Sequence, residues 1–249
     1  MTLCLPAAAT VVAFTFNPNA ASPSLAGAGT AFTADTINYT NNVYSVVQSD
    51  GTFLSHRILV VTGFSLNGAP VAPTGFGSAY GLYFDVAETG ISAPPAPLVF
   101  SGSTFTLRAD PGNQNGVLSS TFAGIGFSNT GATGVADDIT LATGSSLTAT
   151  AGFNPATGIR TTHLVETVLP AAGEAGFFVS PLLNGTVLLD SVNTTNPGLL
   201  VSTPGPNGTT IQTINGGFGV AQFVPDPGSI LLLGTGLLGL VLRRGRPRG

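Results

Sequence analysis

Residues 104–108 read Thr-Phe-Thr-Leu-Arg. Polar and apolar side chains alternate through the five positions, so an extended chain puts Phe105 and Leu107 on one face and Thr104, Thr106 and Arg108 on the other. That is a strand with one wet side. Working outward, the runs Val43–Val47, Thr52–Phe64, Gly81–Val86, Thr186–Leu189 and Gly217–Phe223 are rich in Val, Thr, Phe and Tyr, residues that suit a pleated, half-buried surface. Between the runs stand Asn67-Gly68, Asp110-Pro111-Gly112, Asn115-Gly116, Asn184-Gly185 and Asn207-Gly208. Such dipeptides favour turns because Asn and Gly tolerate positive φ. Long helical periodicity is absent between Tyr39 and Phe223, and Ala171–Ala175 offers one turn at most. Many short strands with regular turns predict an all-β chain, an antiparallel β-sandwich or jelly-roll-like domain.

The composition narrows what such a domain can do. Charged residues make up 7% of the 249, lysine is absent, and four of the seven arginines follow Leu242. Before Pro225 there are ten acidic groups against Arg57, Arg108 and Arg160, so the body is acidic and offers no electrostatic footprint for nucleic acid. The single cysteine, Cys4, has no internal disulfide partner, and no Cys/His cluster with zinc spacing occurs. Stability must come from packing and strand pairing, for which about 200 residues suffice.

Both ends differ from the body. Leu3–Phe16 resembles the apolar core of a secretory signal, and Pro18-Asn19-Ala20-Ala21 supplies a turn and small residues for a peptidase, so residues 1–21 are expected to be an export signal. No Lys or Arg precedes the apolar stretch, the pattern left when the true start lies upstream of Met1. The competing reading is a buried first strand. At the other end, Ile230–Leu242 is interrupted only by Gly and Thr, and Pro227 suits a first helical position. A helix over 227–242 rises roughly 24 Å, short of the ~30 Å hydrocarbon core. Arg243, Arg244, Arg246 and Arg248 can extend into the headgroups and cover the difference. Positive flanks stay cytoplasmic, which places the body outside, held by a single C-terminal transmembrane helix.

Val224-Pro225-Asp226-Pro227, then Gly-Ser, an apolar Leu/Gly stretch and a terminal arginine cluster together resemble the PEP-CTERM sorting signal of exosortase systems. The family usually carries Glu between the two prolines, where this chain has Asp226. The resemblance covers about a tenth of the chain. It implies export, transient anchoring in the inner membrane, cleavage near Pro225–Pro227 by an exosortase-type enzyme, and release to the cell surface or extracellular matrix. In the body, Phe32-Thr33-Ala34-Asp35, Gly51-Thr52-Phe53, Tyr80-Gly81-Leu82-Tyr83, Phe105–Pro111 and Asp138–Gly144 fall in an order similar to the flocculation-associated PEP-CTERM proteins. That likeness implies a role in floc or biofilm formation in polysaccharide-producing bacteria.

Catalytic patterns are sparse. Gly234–Gly239 matches G-x-G-x-x-G, but no βαβ unit surrounds it, and its small residues suit close helix packing in a membrane. His56 and His163 are the only histidines, neither with a second ligand at useful spacing, and no G-x-S-x-G elbow occurs. No cofactor is expected. Calcium is the one ion with a partial pattern, at Asp110–Gly116 and at Asp137-Asp138. Turn chemistry explains the first better, since it lacks the alternating ligands and distant Glu of an EF-hand. Tryptophan is absent, and Tyr80 and Tyr83, the candidate sugar-stacking rings, are expected in the half-buried core.

The expected organisation is a signal over 1–21, an extracellular body over 22–223 and a sorting tail over 224–249. The expected function is that of an exported structural or adhesive protein in exopolysaccharide, biofilm or floc, not an enzyme. Its expected partners are the processing enzyme, the membrane, and either exopolysaccharide or sister molecules through strand edges. The alternative is an extracellular hydrolase or carbohydrate-binding protein carrying the same tail.

Overall fold

The computed structural model describes residues 13–92, 99–114, 118–123, 126–132, 135–153, 160–170, 177–180, 187–195 and 200–224. In chain order its elements are β1 (Phe14–Phe16), the helical turn α1 (Pro18–Ala21), β2 (Phe32–Ala34), β3 (Thr36–Val47), β4 (Thr52–Leu66), β5 (Ala69–Val71), β6 (Tyr80–Ile91) and β7 (Val99–Pro111). Then follow β8 (Leu118–Ala123), β9 (Gly126–Ala132), β10 (Ile139–Phe153), β11 (Arg160–Pro170), β12 (Phe178–Ser180), β13 (Val187–Thr195), β14 (Leu200–Pro204) and β15 (Thr210–Val224). The chain is all-β and antiparallel, as its alternation and turns require. Asn67-Gly68 is the tight turn between β4 and β5: φ is 51° and 78°, and Leu66 pairs with Ala69. Positive φ at both central residues matches the twist of the flanking strands.

The main ladder runs β15-β3-β4-β6-β7-β10-β11-β13, and β13 pairs again with β15, Leu188 opposite Val224 and Thr194 opposite Phe218. Eight strands therefore close into a ring. The two packed layers expected of a sandwich are opposite walls of one continuous curled sheet. Closure gives each of these strands a neighbour on both sides over part of its length. Among the described strands of this sheet, β14 and β5 are edge strands of five and three residues, and β10 beyond Ser145 pairs with β11 but not with β7.

Period-two patterning sorts the walls. Phe53, Ser55, Arg57, Leu59 and Val61 of β4 are buried, as are Tyr80, Leu82, Phe84, Val86 and Glu88 of β6. Register places Leu59 opposite Phe84 and Phe84 opposite Leu107, so these positions share the inner face. On the outside Thr62, Thr89 and Thr104 are exposed.

The small sheet β12-β1-β2 packs on the end of the barrel marked by Ile37, Phe64 and Tyr80. Phe16 is its hub, with ring centroids 5.2 Å from Phe32, 5.5 Å from Phe177 and 5.9 Å from Phe64. Residues 14–16 thus fit the buried-strand reading of the N-terminal stretch. Residues 1–12 lie outside the described residues. So do 225–249, and with them the expected membrane helix. Among the described residues no helix is long and apolar enough to cross a membrane.

Candidate functional site

Three neighbouring strands, β4, β6 and β7, carry Arg57, Asp85, Glu88, Arg108 and Asp110 together with His56. Each turns polar groups both ways, because alternation sends successive side chains to opposite faces. On the outer face Leu54 pairs with Thr89, His56 with Ala87, and Ala87 with Thr104. These residues line an open trough of about 500 Å³, with Gly102 across from Thr89. His56 Nε2 donates to the Asp85 carboxylate beside it, two residues along β6 from Ala87. That contact fixes the imidazole plane and assigns the proton on Nε2.

Further along the same face Tyr83 donates its hydroxyl to Asp138, which leads into β10. Burial, then the bond and charge of Asp138, hold the Tyr83 phenol far above its ordinary value. Burial also raises Asp138, against the opposing pull of Tyr83 and of the Arg108 guanidinium. The tyrosine therefore stays a neutral donor across the biological range, a strut between β6 and the start of β10.

Inside the barrel, Arg57 Nε donates to Glu88 Oε2 at 2.7 Å, with the carboxylate side chain fully shielded from solvent. Ser45 donates to Ser55 at 2.9 Å, and Ser55 in turn stands against Glu88. Burial pushes the Glu88 carboxyl up, while Arg57 and the Ser55 hydroxyl oppose the shift. Asn41, also fully buried on this face, has no protein partner for either amide atom among the described residues. The apolar core thus gives way to a polar interior toward the end of the barrel opposite the aromatic cap.

The expected site residues fall elsewhere. Val224 is the last residue of β15, paired with Leu188, while Pro225, Asp226, Pro227, Arg243, Arg244, Arg246 and Arg248 lie outside the described residues. Tyr80 and Tyr83 are buried, 0% and 3% exposed, as the core reading anticipates. Asp110–Asn113 forms a turn, with φ of 78° at Gly112 and 51° at Asn113, and Asn113 Nδ2 donates to the Gly77 carbonyl at 2.9 Å. Asp138 is engaged by Tyr83, and among the described residues no group of three or more His, Cys, Asp or Glu is placed to hold a metal ion. His163 sits on β11, opposite Thr150 and Val192.

Sequence reasoning missed the two ion pairs, His56 with Asp85 and Arg57 with Glu88. Their partners stand about 30 residues apart and meet only because β4 and β6 are adjacent. The available signal was consecutive, His56-Arg57, within an otherwise uncharged strand of a chain with so few charges. Comparisons with protein-family models, with curated proteins and with solved structures find no match to this chain.

Proposed function

We propose that the chain is an exported surface protein, delivered by its C-terminal tail and acting as a structural or adhesive component of an extracellular polysaccharide matrix. The observation that carries this reading is the order at the terminus: Val224-Pro225-Asp226-Pro227, the apolar stretch to Leu242, then four arginines. That order resembles the PEP-CTERM signal, with Asp226 replacing the usual Glu. It sits immediately behind the last barrel strand, so cleavage there leaves every described strand in place. The acidic, lysine-free body fits a protein that mixes with uncharged polymer rather than nucleic acid.

The alternative, an extracellular hydrolase, draws on His56 and Asp85 beside the trough. Release of reducing ends from neutral polymers by the purified protein would favour it.

The test is the mass of the protein recovered from membrane and extracellular fractions of its host, with and without the processing enzyme. The expected extracellular form lacks everything beyond about Pro225–Pro227. An intact tail confined to the membrane overturns release and makes the tail a permanent anchor.

A further inference from the structure

We infer that the outer trough across β4, β6 and β7 is a binding site for a neutral glycan segment. Its walls present the hydroxyls of Thr104 and of Thr89, the latter also 3.0 Å from the Ser101 hydroxyl, and the orientated imidazole of His56. Its apolar lining is Leu54 and Ala87, with Gly102 leaving the floor bare. Hydroxyls that both donate and accept, set beside small apolar groups, match a sugar ring, whose edge carries hydroxyls and whose face carries C–H groups.

Charge selects within the sugars. No Arg or Lys lines the trough: Arg57, one residue from His56, faces the interior and is held by Glu88. Asp85 engages the lining His56, Glu88 lies in the wall, and the body carries ten acids against three arginines, so the local field disfavours an acidic polymer. Shape selects for a chain rather than a free sugar. The trough is open and crosses three strands, roughly 10 Å at the usual strand spacing, on the order of two rings.

The floor supplies its own test. A Cβ built at Gly102 meets only Thr89 Oγ1, at 3.6 Å, an ordinary contact. Gly102→Leu therefore fills the trough without disturbing the wall. The inference rests on the extracellular placement proposed above, but its test reads binding alone, so a protein that is exported and fails to bind separates the two.

The experiment is affinity electrophoresis of the full-length protein in gels containing dextran, hydroxyethylcellulose or galactomannan, with alginate as the acidic comparison. At least one neutral polymer should retard the protein while alginate does not. Gly102→Leu should weaken that retardation about tenfold or more, with the thermal midpoint unchanged. Phe218→Ser, at an exposed position on β15 away from the trough, should leave it intact. Retardation by no neutral polymer, retardation by alginate alone, or equal retardation of the folded Gly102→Leu variant each overturns the inference. If Gly102→Leu fails to fold, Ala87→Phe, at an exposed position on the same lining, takes its place with the same expectations.

Discussion

Gly219 of β15 lies directly opposite Tyr39 of β3, and the Tyr39 ring covers its bare Cα: a Cβ at 219 would come within 2.5 Å of the ring. Tyr39 is 2% exposed and has no open space to retreat into. Gly219→Ala should therefore cost about 1–3 kcal/mol through overpacking, measured by urea unfolding. With Tyr39→Leu in the same chain the two costs should sum to more than the double variant shows. Additive costs would mean that the glycine is there for another reason.

Besides Phe14, Phe16 packs against four aromatic rings: Phe32 and Phe178 of the small sheet, Phe177 next to Phe178, and Phe64 of the barrel. Phe16→Ala should destabilise the full chain by about 3–5 kcal/mol. The outcome bears on where an export signal ends, since removal of residues 1–21 also removes β1 and with it Phe14 and Phe16. N-terminal sequencing of the extracellular protein, set beside the Phe16→Ala stability, shows whether the released form keeps this ring. A negligible cost for Phe16→Ala would show that the barrel stands without β1.

Burial raises the Glu88 carboxyl above its ordinary 4.5, so the folded chain holds that proton more tightly than the unfolded chain does. The resulting contribution to stability is full below the ordinary value and is lost as pH rises through the raised one. Asp138, also raised by burial, adds with the same sign. Unfolding measured across this window should show stability attributable to Glu88 falling as pH rises, and Glu88→Gln should flatten the slope. Arg57→Leu should push Glu88 higher still and cost about 3–5 kcal/mol where the carboxylate is ionised. A wild-type slope unchanged in Glu88→Gln would sink the assignment.

Tyr80 is wholly buried, burial raises its phenol, and its hydroxyl has no hydrogen-bond partner among the described residues. The ring packs edge-on against Phe76, 5.7 Å between centroids, so Phe can keep the packing. Tyr80→Phe removes an unpaired polar atom from the core and should be neutral or stabilising, by up to about 1–2 kcal/mol. A loss of more than that in a thermal scan would reveal an unseen partner.

Thr104–Arg108 was legible as a strand because alternation is a local property, and β7 puts Phe105 and Leu107 inside as the pattern requires. Asn67-Gly68 was legible for the same reason. Closure of the barrel was not, because it depends on β15 meeting β3 over most of its length and β13 over its second half, a matter of register far along the chain. The trough and the Arg57–Glu88 pair share that origin. They depend on which strands are neighbours, and no pattern within a single strand records it. Several strands run longer than their sequence pattern: Gly81–Val86 extends to Ile91, past Glu88, whose carboxylate is held by Arg57 of the neighbouring strand.

The position of Val224 has a mechanical consequence. If the chain is tethered at its C-terminus, any pull from the membrane enters the body through β15, the strand held by β3 on one side and by β13 and β14 on the other. The tension runs along the strand, so the flanking hydrogen bonds are loaded together in shear instead of opening one by one. In that case the ladders on both sides of β15 would share the load, and a cut just beyond Val224 would relieve it without unzipping them.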